Sequence, residues 1–520
     1  MKTILLPIFV LCSVFSAHAQ ENYWQQELHY KIDVTLNDNT HSVKGDLSLD
    51  YINHSPDTLT YIWFHIWPNA YRNDQTALAM QLRNGSSKKA DIERGYIDSL
   101  NFSVNGQPAK TEPDSVNIDI IKVLLQQPLL PGATITVNTP FFVKLPGYYS
   151  RSGHQGQKYI LCQWYPKPAV YDRKGWHPMP YLDQGEFYSD FGTYKVNISL
   201  PSAYVVGATG VLQTKNELDT YKRIGGENLR NTKKKELYKP LNADPTKTLQ
   251  YYGENVHDFA WFADKEFIIQ YDTLMLSAPA PVDVFSYYQP NGSREWANSV
   301  SFIKDAVRKY SGWIGEYPYP TVAAVEGPKN LSSGGMEYPM ITLITSPDAS
   351  KESLDAVITH EVGHNWFYGI LASNERDHPW MDEGINTYYQ FRYEADKYRY
   401  NSVFGNSIPK SLKSLPADEF LSRIFSGLNT LPAKEPIETQ STGFANKEDY
   451  GVVVYIKTAI WMAILESSIG RDNLDRGIQE YFNDWKFRHP YPEDIKTSFE
   501  KASGKKLDNL FELLKKTGNF

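Results

Sequence analysis

Between Tyr30 and Tyr271 apolar residues recur at every second position; after about Val282 they recur at every third or fourth. The first spacing belongs to strands with one buried face, the second to helices with one buried stripe. No single layer satisfies both, so the chain divides into a β-rich unit and a mostly helical one. Tyr30 to Leu36, Lys44 to Tyr51 and Tyr194 to Leu200 alternate most cleanly, with Asn, Asp, Gly and Pro between such runs. They predict a large antiparallel β domain over residues 20–273. Glu295 to Tyr310, Ser350 to Ile370, Pro379 to Tyr398 and Gly451 to Ile469 read as helices. Residues 274–520 therefore read as a mixed α/β lobe to about 400 and a helical lobe from about 401. Thr214 to Lys247, rich in Lys, Asn and Glu, reads as an exposed loop or hairpin excursion.

Length supports that division, since 520 residues correspond to two to four domains at roughly 150 residues each. With 53 basic against 60 acidic side chains there is no basic field to recruit nucleic acid. The N-terminus reads as an address: Lys2, an apolar run from Ile4 to Phe15, and small residues at Ala17 and Ala19. Residues 1–19 are expected to be a cleaved signal peptide, making the protein periplasmic, secreted or surface-associated. That run is short for a bilayer span and no other approaches ~18 apolar residues, so no integral membrane segment is expected. Cleavage leaves Cys162 as the lone cysteine, which excludes an intrachain disulfide.

The chemistry concentrates in His360-Glu361-Val362-Gly363-His364. Leu354, Val357, Ile358 and Trp366 give this stretch a helical apolar face, and Ser350 is placed to cap it. Residues four apart share a helix face, so His360 and His364 can bind one tetrahedral zinc. Glu361 sits beside them as a general base for a water activated by that metal. A catalytic zinc takes a third protein ligand. Glu383 offers one, from a helix that starts at Pro379. The alternative is a chance pair of histidines on a surface helix.

At this point the sequence resembles a known family, the gluzincin zinc aminopeptidases that include aminopeptidase N and the leukotriene hydrolase. His364-Asn365-Trp366-Phe367 resembles the family's His-Gln-Trp-Phe, and Trp380-Met381-Asp382-Glu383-Gly384 its Trp-Leu-Asn-Glu-Gly. Gly334-Gly335-Met336-Glu337 matches its Gly-X-Met-Glu element, and Tyr455-Ile456-Lys457 its Tyr-X-Lys. Val256 to Trp261 is similar to the end of its N-terminal β domain. The resemblance implies a saddle- or sandwich-like β domain followed by a thermolysin-like catalytic domain, one Zn2+ per chain, and peptide substrates with a free N-terminus. It implies that Glu337 binds the substrate's α-ammonium, that Gly334, Gly335 and Met336 border the peptide, and that Tyr455 hydrogen-bonds the oxyanion. Tyr450 matches a second active-site tyrosine of some members. A β-domain glutamine reaches the family's cleft, and Gln163 is either that residue or an ordinary strand residue. Thr387 is either a partner of the third ligand or exposed, and His378 reads as structural.

The departures are specific. Tyr338, followed by Pro339, stands where the family commonly has Asn; Asp382 replaces an Asn and Thr458 a Gly. The chain reads as a short member without the C-terminal helical domain, which implies a more open cleft. The reading is an exported zinc aminopeptidase. Its competitors are a thermolysin-like endopeptidase, a hydrolase of small epoxides, and a binding module with a degenerate peptidase domain.

Overall fold

The computed structural model describes residues 23–84, 93–231, 234–330, 334–346 and 349–520; the expected signal peptide lies outside them. The first unit is built on a nine-stranded sheet. Leu28, Tyr30, Ile32, Val34 and Leu36 of Glu27–Asn37 all point inward, as the two-residue period requires. That strand pairs antiparallel with Ser42–Ile52, which pairs in turn with Thr134–Lys144. The sheet is not wholly antiparallel, however. Leu28–Thr35 runs parallel to Gly192–Ser199, joined by a long connection that carries strands of this and of the smaller sheets. Two four-stranded sheets feed the same apolar core, where Trp164, Trp261, Tyr165 and Tyr194 are buried.

The second unit starts from a five-stranded mixed sheet ordered Ile268–Leu274, Val282–Tyr288, Thr321–Glu326, Ile341–Ile344 and Gly335–Tyr338. Its first strand lies ahead of the boundary expected at 274, because Ile268–Leu274 pairs with Val282–Tyr288 rather than with the β-rich unit. The last strand, Gly335–Tyr338, is an edge strand paired antiparallel with Ile341–Ile344. Against these two packs the helix Lys351–Phe367, and against that helix packs Glu383–Tyr398. Ser350 caps the first helix as expected, accepting the Ser353 N–H. The order of a β-rich unit before a helical catalytic unit is the predicted one.

Two local expectations change. Lys215–Arg230 is a helix, not a loop or hairpin excursion. Glu217, Tyr221, Ile224, Gly225 and Asn228 form its buried stripe, hidden in the sequence because only Tyr221 and Ile224 are large apolar residues. It lies on Ile268–Leu274, and Gly225 meets the Tyr271 backbone where a Cβ would overlap it. In the helical lobe, Gly451–Lys457 is a π-helical turn that leads into the α-helix Thr458–Ile469. The whole run Lys447–Ile469 is, by length and composition alone, long and apolar enough to cross a membrane. Val453, Val454, Trp461, Met462 and Leu465 are instead buried in the apolar core.

Candidate active site

Two helices bring the predicted ligands together. His360 and His364 lie one turn apart on Lys351–Phe367, and Glu383 opens the facing helix Glu383–Tyr398. The two Nε2 atoms are 3.1 Å apart, and each is 3.2 Å from Glu383 Oε2. What surrounds them decides their protonation. Gln390 gives its amide N–H groups to Glu394 and the Ser402 hydroxyl, so its carbonyl oxygen faces His360 Nδ1 at 2.8 Å. Asp382 Oδ1 takes His364 Nδ1 at 2.6 Å. As neutral rings, both histidines therefore carry the proton on Nδ1 and turn a lone pair inward. In that state two lone pairs and a carboxylate oxygen converge, an arrangement that a shared cation satisfies. Three nitrogen and oxygen donors on His, His and Glu fit a zinc ion with one position left open.

The electrostatics agree. Burial opposes charge on His364, yet Asp382, Glu337 and Glu383 hold its imidazole well above the usual histidine range. Burial also pushes the Glu361 carboxyl up to about 8, helped by Glu383, Glu186 and Asp382 and opposed by His364. Positive charge is thus favoured at the triad, and a bound cation there would draw the proton off Glu361.

Around it lies a cavity of about 580 Å³. Gly334, Gly335, Met336, Glu337, Glu361, Tyr450 and Tyr455, each singled out from the sequence, line it together with the three ligands. Gly335 is small for a reason: a Cβ there would overlap the Glu361 carboxylate. Tyr455 donates to Glu383 Oε1, the oxygen turned away from the histidines. Burial, with Glu383 beside it, keeps the Tyr455 hydroxyl protonated far above neutrality. Glu337 Oε1 and the Tyr450 hydroxyl are buried without a hydrogen-bond partner among the described residues. Tyr450 and Tyr455 stand with ring centroids 6.1 Å apart. Five residues would put them on different faces of an α-helix, but the i→i+5 bonding of a π turn brings them to one face.

Gln163 is not a cleft residue. It is buried behind the edge strand, with its amide nitrogen on Asp258 and its oxygen accepting from the Tyr338 hydroxyl. The β-rich unit reaches the cavity instead through Tyr148, Ser150 and Arg151 and through the segment from Asp183 to Glu186. Glu186 pairs with Arg151, and its backbone N–H donates to Glu375 Oε1 at 3.1 Å. No motif marks that segment in the sequence. Gln390 was detectable, since it lies seven residues after Glu383 and therefore on the same helix face. Thr387 is buried and spends its hydroxyl on the Glu383 carbonyl at 2.7 Å. His378 pairs with Glu438, away from the triad.

Residues 304–513 match the Peptidase family M1 domain model. Over that stretch the chain is similar to an M1 peptidase domain. Leucine aminopeptidase 2 of Aspergillus fumigatus is 26% identical over 164 residues, 31% of this chain and 24% of that protein. A leukotriene A-4 hydrolase homolog of Botryotinia fuckeliana is 27% identical over 179 residues, 33% of this chain and 26% of that protein. The matched part thus spans about a quarter of the length of these curated relatives. The M1 zinc metallopeptidase from Deinococcus radiodurans shares the fold over 95% of this chain and 94% of its own, with TM-score 0.61 and 14% identity. Legionella pneumophila aminopeptidase A, solved with aspartic acid, matches 94% of this chain and 49% of its own, with TM-score 0.63 and 14% identity. At these identities the likeness is one of fold, over nearly the whole of this chain.

Proposed function

We propose that the protein is an exported zinc aminopeptidase, which removes N-terminal residues from peptides with Glu361 as general base. Glu337 supports the exopeptidase reading most directly. Its buried carboxylate offers an oxygen within 4.8 Å of ligand atoms on Glu361 and His364, so a cation docked there sits one residue from the reacting bond. The ion-paired Glu186 and Arg151 line the same cavity. The names of the relatives, leucine aminopeptidase and leukotriene A-4 hydrolase homolog, support the same chemistry. Export rests on the leader-like residues 1–19 alone.

When bound by His360, His364 and Glu383, zinc supplies a Lewis acid that acidifies water and polarises a carbonyl. The chain's own residues do the rest. The edge strand Gly335–Tyr338, with Gly334 before it, offers backbone against which an extended peptide adds as a further strand. Glu337 holds the α-ammonium. Glu361 accepts the attacking water's proton and returns it to the departing amine. Tyr455 turns its hydroxyl from Glu383 to the carbonyl oxygen as negative charge gathers there.

The Glu337 contact is a charge-assisted hydrogen bond in a partly dry cleft, worth roughly 1.5–3 kcal/mol. Glu337→Ala should therefore lower kcat/KM for free peptides by roughly ten- to a hundred-fold and leave N-acetylated ones almost unchanged. Steady-state assays on matched free and acetylated substrates measure this. An equal loss on both would remove Glu337 from ammonium binding.

A further inference from the structure

We infer that Tyr338 and Gln163 are positioning residues for Glu337. Their hydrogen bond ties the strand that presents this carboxylate to the β-rich unit and fixes where the substrate's ammonium sits. The inference rests on reading Glu337 as the anchor of a free N-terminus.

Gly335–Tyr338 is a soft mount on its own. It is four residues long, at a sheet edge, and it opens on glycine. Successive side chains of a strand point to opposite faces. Glu337 faces the triad, while Met336 and Tyr338 face the β-rich unit, where Arg151 Nε lies 3.1 Å from Met336 Sδ. The turn that follows puts Met340 at φ 66° and is held from the motif helix, where Asn365 Oδ1 accepts the Met340 N–H at 2.9 Å. The hairpin is thus held from both sides, by Asn365 next to the ligand His364 and by Gln163 from the first unit.

The Gln163 end is rigid. Gln163 sits at φ 50°, a conformation that costs a non-glycine residue energy and persists only where its surroundings enforce it. Its amide nitrogen is 3.0 Å from Asp258 Oδ2. Asp258 is fully buried, bonded to Lys167 Nζ at 2.8 Å, the Tyr165 hydroxyl at 3.1 Å and the Phe259 N–H at 2.7 Å. A buried ion pair with this many partners has one geometry, so the Gln163 amide cannot turn over. Its oxygen is left to face Tyr338, whose hydroxyl donates to it at 3.1 Å. The Tyr in place of the family's common Asn thereby gains a partner in the β-rich unit.

Steady-state kinetics of Tyr338→Phe, Gln163→Met and the double variant test this. Loss of the link loosens an interaction made equally in the ground and transition states, so it should appear in KM rather than kcat. Each single variant should raise KM for free peptides about five-fold, the size of one net hydrogen bond, with kcat retained. The double variant should be no worse than either single one, since both remove the same bond. The preference for free over acetylated peptides should fall by the same factor. Full additivity in the double variant, or a fall in kcat at unchanged KM, would overturn the inference. Should Gln163→Met fail to fold, Tyr338→Phe, which keeps the ring, decides alone through its split between KM and kcat. If the wild-type enzyme does not discriminate against acetylated peptides, the Glu337 reading fails and this inference falls with it. If it does discriminate but Tyr338→Phe leaves KM unmoved, only this inference falls.

Discussion

Glu361→Gln is expected to lower kcat by roughly 10³-fold while zinc content stays at that of the wild type. The amide keeps the size of the carboxylate beside Gly335 but cannot accept a proton. None of the three ligand atoms is altered, because the metal-facing atoms are His360 Nε2, His364 Nε2 and Glu383 Oε2. Metal analysis alongside kcat separates base from ligand: His364→Ala should lose both. If Glu361→Gln turns over at the wild-type rate, the proton acceptor lies elsewhere.

Tyr455→Phe should cost roughly 10² in kcat and little in KM, as expected for a donor used mainly in the transition state. The prediction relies on the hydroxyl staying protonated, which burial and the neighbouring Glu383 both enforce. It also relies on the Tyr455 ring keeping its place, 5.9 Å from the His360 ring and stacked against it, and phenylalanine preserves that contact. An unchanged kcat would make Tyr455 a packing residue of the helical lobe.

The legible parts of this molecule were those governed by local spacing. A two-residue period announced the strands, a four-residue spacing put His360 and His364 on one face, and Pro379 marked the entry to the third ligand's helix. What lay hidden depends on contacts distant in sequence. The helix Lys215–Arg230 was masked because only five of its residues are buried, Glu217 and Asn228 among them, and polar side chains fill most of its remaining faces. Glu186 reaches the cavity because Arg376 binds the Glu186 and Gln184 carbonyls, contacts spanning about 190 residues that leave no local trace. Gln163, left open between cleft and structural residue, resolves through equally distant contacts: its amide is committed to Asp258 and Tyr338. The resemblance pointed to Tyr450 beside Tyr455, but helical spacing alone did not put them on one face; the π turn does.

The most direct test of the account compares one peptide with its N-acetylated twin. Both are assayed on the enzyme as isolated, after chelation, and after zinc is returned. The free peptide should be trimmed from its N-terminus and the acetylated one left nearly intact; chelation should abolish the activity and about one zinc per chain restore it. Internal cleavage of the acetylated peptide at a rate equal to trimming of the free one would make the protein a zinc endopeptidase, and full activity in metal-free protein would contradict the account altogether.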